Sequence, residues 1–219
     1  MLNLPVILAI DRAGLVGEDG ETHHGIYDVG FLRQAPGMKI LCPASLQETE
    51  DMLRWAVKDR SGPIAIRYPR GGNGSFTGSA WNGQISPVCV HREGKDVAII
   101  TYGTLVNNAM EAAQILSEQG IEAMVIRLTC IHPLHAENLI SKLSDIKQVF
   151  VAEEIAGNCG IREHIACLLN ERDSYYTVSG IDLGNRYIQH GAVDKLYDYY
   201  GLSPEKLAKS ILEVHRSEN

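Results

Sequence analysis

The sequence predicts an α/β fold made of two open units in series. Three observations carry this expectation. Short β-branched runs alternate with amphipathic stretches of helix length. Several of the runs are apolar on both faces, as strands are when helices cover both sides of a parallel sheet. The alternation lapses once, between Gly71 and Glu93, where glycines and polar residues show no periodic apolar positions. The units are therefore expected at 1–72 and 93–219, with 73–92 as a linker.

In chain order, strands are expected at Val6–Ile10, Lys39–Cys42, Ile64–Tyr68, Val97–Tyr102, Ala123–Leu128, Gln148–Glu153 and Tyr176–Ile181. Ser45 opens a helix, with Glu48 three residues on completing a capping box and Met52, Leu53, Ala56 and Val57 forming its apolar stripe. A second helix runs from Leu105 to Gln119 and stops at Gly120, a residue suited to a left-handed C-cap. A third lies around Ile161–Leu169, and a last one begins at Ser203-Pro204 and ends near His215. The front unit supplies about three strands, whereas open sheets usually hold about four to six. Further strands of that sheet are expected outside this chain, and its unfinished edge favours self-association or partner binding.

Composition excludes several functions. The net charge is −7, with no long run of like charge, which argues against a nucleic-acid or anionic-membrane surface. Apolar runs fall far short of the roughly 20 residues of a membrane helix, and no basic leader precedes Leu4–Ile10. A cytoplasmic protein is expected. The five cysteines (Cys42, Cys89, Cys130, Cys159, Cys167) are scattered and contain no C-x-x-C pair, so they are read as reduced thiols. His132-Pro133-Leu134-His135 is a poor metal site, because Pro133 breaks any helix that would align its rings.

Two segments carry chemistry. Asp11 to Gly25 follows a buried strand and holds four glycines among a permanent cation (Arg12), a carboxylate (Asp19) and two imidazoles (His23, His24). Loops at the carboxyl ends of parallel strands are where α/β proteins bind ligands, and this set suits an anionic substrate that exchanges protons. Arg67-Tyr68-Pro69-Arg70-Gly71-Gly72 ends another strand, and the planar guanidinium fork matches phosphate oxygens. The competing readings are a glycine-rich turn with solvated charges and a strand-terminal surface pair. Arginine-bearing loops leaving neighbouring strands favour convergence on one crevice.

Ile10-Asp11-Arg12-Ala13-Gly14 through Asp19-Gly20 and Thr22-His23, with Arg67-Tyr68-Pro69-Arg70-Gly71 at its usual distance, resembles the 1-deoxy-D-xylulose-5-phosphate synthase family. That family is a thiamine-diphosphate-dependent branch of the transketolase-like enzymes. The resemblance continues through Thr101-Tyr102-Gly103, Pro133-Leu134, Glu153-Glu154, Ile188-Gln189-His190-Gly191 and Gly201-Leu202, covering nearly the whole chain. It implies a truncated transketolase pyrimidine-binding domain followed by a transketolase C-terminal domain. Arg12 and Arg70 would hold the phosphate of glyceraldehyde 3-phosphate. Asp19 and His23 would contact the acceptor's hydroxyl and carbonyl groups, with His23 the proton donor and His24 a neighbour. The implied reaction condenses pyruvate with that acceptor, releases CO₂ and feeds isoprenoid, thiamine and pyridoxal synthesis.

The same resemblance marks what is missing. The family holds its cofactor diphosphate through Mg²⁺ with a Gly-Asp-Gly motif and a following Asn, and this sequence has no Gly-Asp-Gly. A glutamate expected before the Asp-Arg-Ala-Gly motif is also absent from residues 1–11. His135 and Gly184-Asn185-Arg186 depart from the family pattern in the back domain. The chain is thus expected to be a C-terminal portion, inactive alone, working with the N-terminal part of the enzyme in a homo-oligomer. Alternatives are a split transketolase subunit, a 2-oxoacid dehydrogenase β-type subunit, or a non-catalytic assembly module.

Overall fold

Strand β1 (Ile7–Ile10) runs parallel to β3 (Ile64–Arg67), which runs parallel to β2 (Lys39–Leu41), so the first sheet places β3 at its centre. The computed structural model describes residues 4–59, 61–79, 86–143, 145–173 and 175–218. β3 reads Ile-Ala-Ile-Arg and is buried at all four positions. The second sheet has the order β4-β6-β5-β8-β9, from β4 (Val88–Arg92), β5 (Val97–Tyr102), β6 (Ala123–Leu128), β8 (Gln148–Ala152) and β9 (Thr177–Ile181). Its strands are parallel except β4, which pairs antiparallel with β6. β5 and β6 are buried throughout, as their unbroken apolar runs require.

The helices are α1 (Asp28–Leu32), α2 (Leu46–Lys58), α3 (Val106–Ser117), α4 (Ala136–Leu143), α5 (Arg162–Arg172), α6 (Val193–Tyr200) and α7 (Pro204–Glu218). α2 starts as expected: Ser45 Oγ accepts the Glu48 N–H at 3.0 Å. The reciprocal half of the box differs, because the Glu48 carboxylate accepts the N–H of Ala44 at 2.8 Å. α3 ends two residues before the sequence pattern, and Gly120 then adopts φ 82° to turn the chain into β6.

The structure moves one expected boundary. Residues 88–92, read from sequence as the end of a linker, form β4, with Val88 opposite Leu128. Residues 80–85 of that stretch lie outside the described residues. A further strand, β7 (Cys130–His132), leaves the second unit and pairs antiparallel with β2. The first sheet is therefore completed by a strand from the back half of the chain. The core is likewise shared: Val29, Ile40 and Ala65 pack in one buried cluster with Ile100, Leu128, Ile131 and Leu139. Burying such side chains is worth roughly 1.5–3 kcal/mol each, so this seam fixes how the front loops meet the back unit.

Among the described residues, no helix is long and apolar enough to cross a membrane. All five cysteines are free.

Candidate functional site

β1 and β3 are paired with Ile10 opposite Arg67, so the loops that follow them leave the same end of the sheet side by side. The first loop folds back on itself. Gly14 donates to Gly25 O at 2.8 Å, and Gly25 donates to Gly14 O at 2.9 Å and to Arg12 O at 3.0 Å. It is anchored to the second loop where Ala13 N–H donates to Tyr68 O at 3.0 Å. Arg12 itself sits at φ 57°, a left-handed conformation uncommon for a residue with a side chain and frequent at functional sites.

That arrangement brings three of the sequence-predicted residues together. Arg12 Nε donates to Asp19 Oδ2 at 3.1 Å, and Arg70 Nη1 donates to Asp19 Oδ1 at 2.5 Å. One carboxylate thus holds two guanidinium groups from separate loops. Arg12 also donates to Asp11 Oδ2 at 2.5 Å, and Arg70 Nη2 lies 3.8 Å from Glu18 Oε2. The hydrogen bond from Arg12 and the charge of Arg70 hold the Asp19 carboxyl below its ordinary range, and Asp19 in turn raises Arg12. The arginine side chains remain 42% and 49% exposed, so an anion can reach them. Beside them lies a cleft of about 390 Å³, lined by Val16, Gly17, Glu18 and Arg70 from the front unit and Val193 and Asp194 from α6.

The two histidines separate. His23 is exposed, with Nδ1 3.2 Å from Thr22 Oγ1. His24 is buried and accepts the Val16 N–H through Nδ1 at 2.9 Å, with burial pulling its pKa down. It shapes the loop as a neutral ring.

Residues of the back unit support the loop, and the sequence gives only a faint sign of them. Leu15 N–H donates to Glu154 Oε1 at 2.6 Å, and the Tyr197 hydroxyl also binds this carboxylate. Gly191 N–H donates to Gly17 O at 2.9 Å, and a Cβ on Gly17 would lie 1.6 Å from Gly191 O. Arg67, although at the mouth of the second loop, points inward: it is buried, donating to Asp28 Oδ2 and Gly25 O at 2.7 Å each. Glu153 caps α5, accepting from Ile161 and Arg162 N–H at 2.8 and 3.1 Å and from the Tyr102 hydroxyl at 3.0 Å. The start of α5 is therefore already occupied by the chain's own carboxylate. Two adjacent acids ending a buried strand were the available signal, since buried carboxylates require partners.

Comparison with known proteins agrees with this architecture. The family described as "Transketolase, pyrimidine binding domain" matches residues 2–74, and "Transketolase, C-terminal domain" matches residues 87–207. The chain belongs to the transketolase family. Among curated relatives, 1-deoxy-D-xylulose-5-phosphate synthase of Chlorobaculum tepidum is 36% identical over 99% of this chain and 34% of its own length. The synthase of Halothermothrix orenii is 38% identical over 97% of this chain and 34% of its own length. The chain thus spans about a third of the relatives it matches. Among solved structures, a split-gene transketolase in an inactive β4 tetramer has TM-score 0.82 and 27% identity, over 95% of this chain and 66% of that one. A transketolase mutant from Pichia stipitis, at TM-score 0.79 and 20% identity over 98% of this chain and 30% of that one, shares the fold.

Within this transketolase-family site the donors do not suit a divalent cation. Both oxygens of Asp19 face guanidinium groups. Among the described residues, no three His, Cys, Asp or Glu side chains converge as metal ligands.

Proposed function

We propose that this chain supplies the acceptor-phosphate site of a thiamine-diphosphate-dependent transferase of the 1-deoxy-D-xylulose-5-phosphate synthase type. The observation that carries the reading is the meeting of Arg12 and Arg70 over Asp19. Two planar forks from rigidly paired strands match the oxygens of a phosphate monoester and stay charged at any physiological pH. On this reading the acceptor is glyceraldehyde 3-phosphate and the donor is pyruvate, with CO₂ released.

Each residue has a task in acceptor binding. Arg12 and Arg70 take the phosphate, exchanging part of their hold on Asp19 for the incoming dianion. The Asp19 carboxylate turns to the acceptor's hydroxyl group. His23, the exposed imidazole of the loop, gives a proton to the carbonyl oxygen as negative charge develops there. The buried Glu154 and the half-buried Gly191 keep the loop in place while these exchanges occur. Thiamine diphosphate, when bound, would supply a nucleophilic carbon and an electron sink for the decarboxylation of pyruvate, whose remaining two carbons are the ones transferred. Its diphosphate and Mg²⁺ are assigned to the N-terminal part of the enzyme, and turnover is assigned to an assembly of both parts.

The test mixes the full chain with the separately expressed N-terminal counterpart of the synthase relatives, thiamine diphosphate and Mg²⁺, then assays product from pyruvate and glyceraldehyde 3-phosphate. Product from the mixture and none from the chain alone supports the reading. A mixture that associates yet forms no product counts against it. The likeness to a split-gene transketolase favours one second reading, a transketolase-type subunit. A ketose donor would then replace pyruvate in the same assay.

A further inference from the structure

Away from the Arg12–Arg70 clamp, a second pocket of about 300 Å³ opens where α1, the end of β7 and the start of α5 meet, lined by Gly30, Arg33, Gln34, His132, Asn158 and His164. Its lining contains three basic side chains and no carboxylate. Arg33 is fixed in place by a hydrogen bond from Nη1 to Gly160 O, and Gln34 Nε2 donates to Gly30 O at 3.1 Å. His132 and His164 each bury Nδ1 without a partner. Orphaned buried N–H groups are rare, so the neutral rings carry their hydrogen on Nε2, leaving that atom as the donor.

Charge completes the picture. His132 lies in the field of Arg33 and His164, and His164 in the fields of Arg33 and Glu171. Burial first, and Arg33 next, lower both histidines below their ordinary value. The acids of α5 have other partners: Glu171 accepts from Cys167 Sγ at 3.5 Å, and Glu163 pairs with Arg162 at 2.9 Å. Glu163 lies in the field of Arg33 and Glu171 in that of His164, but no carboxylate lines the pocket itself, so a lining of Arg33, His132 and His164 favours an anion there.

We propose that Arg33, His132 and His164 bind a phosphate-sized oxyanion, either free or as the phosphoryl group of a small ester. The site is independent of the acceptor reading, since it shares no residue with the clamp. Binding strengthens as pH falls, because the anion restores the histidine charge that burial and Arg33 suppress. If binding raises each pKa by one unit, affinity gains about tenfold per histidine across the titration.

The full chain is titrated with inorganic phosphate, with glycerol phosphate and with chloride at matched ionic strength, while the His132 and His164 ring resonances are followed by NMR. Saturable shifts of both rings in phosphate and not in chloride, tighter at pH 6 than at pH 8, support the site. The ester either reproduces these shifts, which assigns a phosphoryl group, or fails to, which assigns the free ion. Arg33→Gln should abolish saturation. His164→Gln, a milder change on a half-buried ring, should weaken it while His132 still reports. Arg70→Ala should leave both rings responsive, which separates this site from the clamp. Shifts that are absent, non-saturable, equal in chloride, or unaltered in both Arg33→Gln and His164→Gln overturn the proposal.

Discussion

Glu48 and Arg127 form a two-point ion pair with no exposed side-chain surface, Nη1 to Oε2 at 2.7 Å and Nη2 to Oε1 at 2.9 Å. It joins α2 of the front unit to β6 of the back one. The same carboxylate accepts the Ala44 N–H, so helix start and interface share one group. Replacing one partner strands a buried charge, which typically costs about 3–5 kcal/mol. Arg127→Met should lose stability on that scale in urea unfolding, and Glu48→Gln/Arg127→Met should recover part of it. A single variant as stable as the parent would show that the pair does not hold the seam.

Glu154 gives the protein a pH signature. Burial pushes its carboxyl up to about 7, against a hydrogen bond from Leu15 N–H that favours the ionised form. A carboxyl raised in the folded state is stabilising while protonated. Its contribution is complete below the ordinary carboxylate range and is lost as pH rises through about 7. The swing is on the order of 3 kcal/mol. Glu154→Gln keeps an acceptor for Leu15 and removes the titration. The parent's unfolding midpoint should fall relative to Glu154→Gln between about pH 4.5 and 7, and parallel profiles would refute the assignment.

Gly17 tests whether the back unit positions the site. A methyl group there meets the Gly191 carbonyl oxygen at 1.6 Å, so the Asp11–Gly25 loop must move away from α6. Gly17→Ala should destabilise the chain by about 1–3 kcal/mol and weaken phosphate binding in variants that remain folded. Unchanged phosphate affinity in a folded Gly17→Ala protein would place the docking outside the function.

Much of this was legible in the sequence, for identifiable reasons. β3, β5 and β6 announced themselves because parallel strands covered on both faces must be apolar at every position. Ser45 and Gly120 marked helix ends through local chemistry alone. β7 was not legible: three residues ending in His132 become a strand only because β2 offers an edge. β4 was hidden by its half-polar Val-Cys-Val-His-Arg pattern, which fits an edge strand beside a glycine-rich stretch. α1 spans five residues without a side-chain cap and owes its form to packing. At the site, Arg12, Asp19 and Arg70 stood out by residue type and loop position. Glu154 did not, because its partner Leu15 lies 139 residues away and lends it only a backbone N–H.

The most direct measurement follows the Arg12 and Arg70 Nε resonances of the full chain during titration with glycerol phosphate. Both should respond with one dissociation constant, and Arg12→Ala and Arg70→Ala should each weaken binding about tenfold or more. Responses with unrelated constants, or an affinity untouched by both substitutions, would contradict a single clamp.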